Sequence, residues 1–124
     1  MSDAIDRNEV VNINIKLNEC KTHLQKQNIY SCISGFKDVL ERLKATPMLA
    51  SDSKELRKDI NKFQDLLAAS KTFRDVYGPV TFRDDDFETS LDFMHQLMIL
   101  KEEEVREIMA QRQLDDEAGQ ELGA

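Results

Sequence analysis

The sequence is poor in turn-forming residues and in aromatic side chains. Its 124 residues include four glycines, two prolines and no tryptophan, and only 6% are aromatic. β-Sandwiches and barrels need many turns, so this scarcity argues against them. Helix formers, chiefly Leu, Glu, Lys, Gln, Met and Arg, dominate instead. The composition therefore predicts an all-α protein. The length suits a single domain, since domains typically run ~100–200 residues.

Long apolar segments and a cysteine framework are also lacking. No apolar run reaches the ~18 residues that a membrane-spanning helix requires. The N-terminus has no basic region followed by an apolar one, which is the pattern of a secretory signal. Two cysteines are too few to form a disulfide framework. These features predict a cytoplasmic protein.

The charge balance excludes two classes of partner. The formal net charge is −7, whereas nucleic-acid binding depends on neutralising phosphates with Lys and Arg. An anionic membrane surface would repel the chain for the same reason. We therefore expect no nucleic acid and no membrane among its partners.

Familiar catalytic motifs are missing as well. The chain has no Gly-rich phosphate loop, no Gly-x-Ser-x-Gly elbow and no His-Glu-x-x-His pair. Asp92 and His95 stand one helical turn apart, but bundle metal sites need that arrangement on two helices. The acidic run at residues 102–104 lacks a calcium-binding loop and is interpreted as a solvated helix face. The sequence predicts no catalytic residues, no cofactor and no enzyme activity.

Hydrophobic periodicity predicts two helices in the first half of the chain. The first begins near residue 7, after a capping box formed by Asp6 and Glu9, and breaks at residues 27–28. The second ends at residues 46–47, because Pro47 disfavours helix in the residue before it.

Two further helices are predicted in the second half. The third opens with a capping box of Asp52 and Glu55, carries Ser70 on its apolar seam and runs to Tyr77, before a Gly-Pro pair.

The fourth opens with a similar box of Asp85 and Glu88. Its apolar seam consists of Phe87, Leu91, Met94, Met98, Val105 and Ile108.

Four helices with short connections favour an antiparallel four-helix bundle or two stacked helical hairpins. We expect one helical domain at residues 1–112. Residues 113–124 are predicted to form a disordered acidic tail.

One row of polar residues on the first helix is a candidate partner-binding site. Asn14, Asn18, Lys21 and Gln25 recur at helical spacing and therefore share one face. The row carries a positive charge and no acid, although the protein is acidic. Amide groups beside an ammonium suit a peptide backbone or a carboxylate. A solvated face without a binding role is the alternative interpretation.

The cysteines and histidines offer a second kind of site. The chain contains two cysteines and two histidines, which are Cys20, Cys32, His23 and His95. Two Cys with two His can bind zinc. Cys20 lies on the apolar seam, however, and free cysteine is among the most buried residue types. We therefore expect core thiols and no metal site, and keep a metal-binding helical protein as an alternative function.

Residues 27–47 resemble the second helix of a tetratricopeptide repeat and its closing proline. Ile29, Cys32, Phe36 and Val39 follow the family's order of large, small, aromatic and small residues, although Pro47 comes three residues late. The first helix departs from the pattern, with polar residues at packing positions. The resemblance implies a protein-interaction module that binds through first-helix side chains.

These patterns together predict a small non-catalytic interaction or regulatory module that binds a protein or peptide through helix faces. A partner with an acidic or carboxylate end would suit the polar row. A self-associating bundle is the other alternative. It would bury the surplus apolar surface of the fourth helix in a homodimer, most simply one of twofold symmetry.

Overall fold

The computed structural model describes residues 7–123, with side chains through Leu114, and contains five helices and no strand in that range. The helices are α1 (Arg7–Gln25), α2 (Ile29–Ala45), α3 (Ala50–Ala69), α4 (Lys71–Tyr77) and α5 (Phe87–Gly123). The predicted all-α class is confirmed. Asp6, half of the first predicted capping box, lies outside the described residues. The predicted tail at residues 113–124 coincides with the last turns of α5, and its disorder stays a prediction.

The third predicted helix is divided in two at Ser70. Ser70 has an extended backbone, with φ −67° and ψ 121°, and its hydroxyl oxygen accepts a hydrogen bond from the Phe73 amide at 3.3 Å. Serine is a preferred N-cap because its side chain satisfies such free amides. α3 also begins at Ala50, before the predicted box, and Leu49 provides no side-chain cap.

The cap of the last helix lies one residue later than predicted. Asp86 caps α5, since its carboxylate accepts from the Thr89 amide at 3.4 Å and from the Thr89 hydroxyl at 2.9 Å. Asp85 has a positive φ of 64° instead. Its amide donates to the Asn61 side-chain oxygen at 3.0 Å, and the Asn61 amide nitrogen donates back to its carboxylate. Asp85 therefore fastens the loop to α3.

α1 and α2 form an antiparallel hairpin that charged side chains close at one end. Arg42, late in α2, contacts Glu9, early in α1, at 2.6 Å, and Arg42 also bonds Asp38 at 3.0 Å. Lys16 of α1 reaches the same Asp38 carboxylate at 3.1 Å. Partial burial raises the pKa of Asp38, but hydrogen bonds from Lys16 and Arg42 outweigh it and leave this pKa below its ordinary value. Asp38 therefore stays ionised at neutral pH and links the two helices.

α3 and α5 run in the same direction. Arg57 of α3 stacks over the ring of Phe87, 5.4 Å from its centroid, at the start of α5. Gln64 lies two turns after Arg57 in α3, and it bonds Ser90, which lies one turn after Phe87 in α5. The contacts therefore advance along both helices together. α2 is antiparallel to α5, since Lys44 near its end lies 3.7 Å from Glu88. The bundle thus contains antiparallel neighbours, as predicted, but its last two long helices are parallel.

A crossover makes the parallel pair possible. The chain returns to the end of the bundle where α3 began through α4 and then residues 78–86. We call residues 78–86 the strap. Gly78 turns the chain with φ 84°, and the Phe82 ring then meets the Phe93 ring of α5 at 6.1 Å. The strap descends alongside α5 until Asp86 starts that helix.

α2 lies at the centre of the core. It packs beside α1 and α5, and its Phe36 ring meets Phe63 of α3 at 4.8 Å between centroids. The described core also contains one buried polar pair, because the Ser90 hydroxyl donates to the Gln64 side-chain oxygen. A buried polar bond of this kind fixes the register of α3 on α5. The largest fully buried apolar side chains are Phe36, Phe63, Phe73, Ile13, Leu17, Ile33, Leu40, Leu56, Ile60, Leu67 and Met94.

α1 and α2 approach each other closely at Gly35. A Cβ atom added at this position would stand 2.8 Å from the Cys20 sulfur, which is too close for an ordinary contact. Cys20 is fully buried, so its sulfur can give way only by rotating into other core side chains or by a shift of the two helices. Glycine is therefore required here by space, although it weakens helices by up to about 1 kcal/mol relative to alanine.

We expect Gly35→Ala to lower the free energy of unfolding by about 1 kcal/mol, since overpacking typically costs 1–3 kcal/mol and the gain in helix propensity offsets part of it. In a Cys20→Ala background the same change should instead be stabilising, because the sulfur is gone. Urea unfolding of the four proteins measures both effects. An equal effect of Gly35→Ala in the two backgrounds would show that the sulfur contact does not limit the packing.

Candidate interaction surfaces

The predicted polar row lies on the flank of α1 that adjoins α3. Arg7 belongs to the same row, seven residues before Asn14, and its side chain lies 3.5 Å from Asp52 of α3. Asn14 and Lys21 are half-buried, whereas Asn18 and Gln25 are exposed. The Asn14 amide nitrogen donates to the Val10 carbonyl at 3.3 Å. The row therefore presents two open positions and two that are partly covered.

The cysteines occupy the α1–α2 contact. Cys20 and Cys32 are both free and fully buried. Burial raises the pKa of each thiol to about 12, so both remain protonated at neutral pH, whereas zinc binds the thiolate. His95 is exposed on α5. Within residues 7–114 no group of three or more His, Cys, Asp or Glu side chains is placed to hold a metal ion.

A groove of about 500 Å³ separates the strap from the first turns of α5. Its walls are mainly apolar and include Val80, Phe82 and Phe93. Two of the polar groups beside them serve the fold, because Asp86 caps α5 and the Ser90 hydroxyl bonds Gln64. Thr81 and Arg83 also line the groove.

α5 extends well beyond the bundle. It has 37 residues, against 20 in α3, which correspond to about 55 Å and 30 Å at 1.5 Å per residue. Every residue from Glu102 to Leu114 is exposed. The second half of α5 therefore projects from the core as a single helix.

The face of α5 that enters the core remains apolar along this projection. Met94, Leu97 and Met98 pack in the bundle, and Val105, Ile108 and Met109 continue the same face by helical geometry. These three side chains are 43%, 45% and 64% exposed. We call them, together with Lys101 and Arg112 on the same face, the α5 stripe. Tyr30, at the start of α2, is 42% exposed and forms a shallow groove with Val105 at the base of the projection.

Sequence reasoning found two residues of the stripe, Val105 and Ile108, but not their exposure. Val105 and Ile108 belong to the predicted seam of the fourth helix, and a seam normally implies burial. Length gives no warning, because the predicted third helix, from Asp52 to Tyr77, would be long enough to cover a seam that runs from Phe87 to Ile108. The available signal is charge, since the charged residues after Lys101 mark the place where the bundle ends.

Comparisons with known proteins do not assign a family. No protein family, curated protein or solved structure matches the chain. The resemblance to a tetratricopeptide repeat therefore stays a prediction. No described helix combines the length and apolarity needed to cross a membrane, since α5 is long but rich in charge.

We expect both cysteines to resist alkylation by iodoacetamide in the native protein at pH 8. Their thiols are buried and their pKa of about 12 leaves very little thiolate at that pH. In urea the pKa returns to its ordinary range, so both should react within minutes. Mass spectrometry of the quenched protein counts the modified residues, and exposed cysteine in a reference peptide is the control. Rapid native labelling of either cysteine would contradict the described core.

Proposed function

We propose that this chain is a non-catalytic protein-interaction module acting in the cytoplasm, in which a helical core presents the projecting half of α5 to another protein. The observation that carries this proposal is the α5 stripe, an apolar face continuous with the core yet exposed to solvent. Most helices in proteins depend on packing of such a face for their stability. A partner that covered the stripe would supply that packing.

The gain from covering the stripe is large on the scale of binding energies. Fully burying a Val, Ile or Met side chain contributes about 1.5–3 kcal/mol. Val105, Ile108 and Met109 follow an i, i+3, i+4 pattern, which is the pattern of anchors that a helix places in a partner's groove. Methionine adapts readily to different surroundings, so Met109 suits a surface that must fit a separate protein.

The row of Asn14, Asn18, Lys21 and Gln25 is a second candidate surface for the same function. Its exposed members, Asn18 and Gln25, can donate to a peptide backbone or a carboxylate, and Lys21 adds a charge at the edge. The predicted alternatives are a metal-binding helical protein and a self-associating bundle. Self-association through α5 uses the same stripe, so it is tested by the same variants.

We expect Val105→Glu with Ile108→Glu to abolish capture of the partner from a lysate of cells that express the protein, because it places charge in the apolar contact. Leu114→Glu is the matched control. Leu114 is 59% exposed and lies nearly opposite the stripe by helical geometry. Immobilised proteins and quantitative mass spectrometry report which captured proteins depend on the stripe. Equal capture by wild type and the double variant would contradict this surface.

The polar row has its own test in the same assay. Asn18→Asp with Lys21→Glu replaces donors by acceptors and a cation by an anion, so a carboxylate-bearing partner should be lost. Asn12→Asp with Lys26→Glu makes the same changes at exposed positions outside the row, one on α1 and one just after it, and serves as the control. Capture unaffected by the row variant removes this row as a binding site.

A further inference from the structure

The charges on the projecting half of α5 are not distributed evenly around the helix. Residues 101–114 contain four glutamates and three cations. Lys101 and Arg112 lie on the α5 stripe, at either end of its apolar trio, while the glutamates lie on the flanks and back by helical geometry. The charges of the stripe itself are therefore the two cations at its ends, and Glu102 borders the groove beside Lys101.

Neither cation is held in a close ion pair among the described side chains. Lys101 makes only a long contact with Glu104, 3.8 Å on the exposed surface, and such contacts stabilise little. Arg112 makes no ion pair within the described residues. They are eleven positions apart, which corresponds to about 16 Å along the helix axis.

A second copy of the chain fits this face poorly. In an antiparallel pair that sets Val105 against Ile108, Lys101 of one copy faces Arg112 of the other. A parallel pair sets each cation against itself, and like charges in contact oppose association. The antiparallel register that joins Ile108 to Ile108 sets Arg112 opposite Glu104, but it places Val105 opposite Gln111 and so divides the apolar contact.

We propose that the α5 stripe docks an amphipathic helix of a different protein, in which an Asp or Glu lies at each end of an apolar stripe, about eleven residues apart. This inference rests on the proposed function and specifies its partner. Apolar side chains of that helix cover Val105, Ile108 and Met109, and its carboxylates pair with Lys101 and Arg112. Tyr30 lies beside Val105 and packs against the end of the docked helix.

A library of displayed 18-residue helical peptides, selected on the immobilised full chain, tests this partner class. We expect the selected peptides to be enriched in Asp or Glu at both ends of their apolar stripe. Selection on Lys101→Glu/Arg112→Glu should reverse the preference towards Lys and Arg. Both substituted residues are exposed or half-buried at the surface, and circular dichroism confirms that each bait is folded.

One selected peptide then gives a quantitative measurement by fluorescence anisotropy. Its affinity for Lys101→Glu/Arg112→Glu should fall by about tenfold or more, as expected for two surface charge pairs that each change from attraction to repulsion. Replacing the peptide's acids by Lys should restore binding to that variant. Lys54→Glu/Lys58→Glu, on the exposed face of α3, makes the same charge change elsewhere and should leave the affinity unchanged.

The outcomes separate this inference from the proposed function. If the selected peptides need Val105 and Ile108 but show no preference for Asp or Glu, the inferred charge pattern of the partner is wrong. The proposed interaction surface then still stands. Selections in which no peptide depends on Val105 or Ile108 overturn both. A stable dimer in native mass spectrometry, lost in Val105→Glu/Ile108→Glu, assigns the stripe to a second copy and likewise overturns the inference.

Discussion

The rest of the structure depends on the position of α2, which packs against its neighbours on three sides. Its contact with α1 is close because Gly35 leaves space for the Cys20 sulfur. Its Phe36 ring crosses the core to Phe63 of α3, and a third side faces α5. One helix of 17 residues therefore connects the other long helices. A change at the α1–α2 contact consequently shifts the surface against which both α3 and α5 pack.

The crossover follows from the parallel arrangement of α3 and α5. Parallel helices cannot be joined by a short turn, so the chain must travel the length of the bundle before α5 begins. α4 and the strap make this return, and the Phe82–Phe93 contact attaches it to α5. The Asn61–Asp85 pair then fixes the C-terminal end of the strap to α3. The positive φ at Asp85 is the conformational cost of that attachment.

Much of the fold could be predicted from local pattern, and the failures have physical causes. The apolar seams and the break at residues 27–28 are visible because each depends on residues close together in the chain. Ser70 was placed on a seam because its spacing fits a helix, yet its hydroxyl serves as a cap. Three consecutive aspartates at residues 84–86 give nearly the same capping signal, so local sequence alone does not single out Asp86. The direction of α5 depends on contacts 24 to 26 residues apart. The exposure of its stripe depends on the lengths of all its neighbours.

The continuity of α5 has a mechanical consequence. Sharp bends in helices occur mainly at proline, glycine or inserted residues, and the sequence has neither proline nor glycine between Phe87 and Ala118. The projection and the core segment therefore form one stiff rod. A force applied to the stripe therefore acts on Phe87, Ser90 and Met94, where α5 meets the bundle, because no hinge lies between the stripe and these residues.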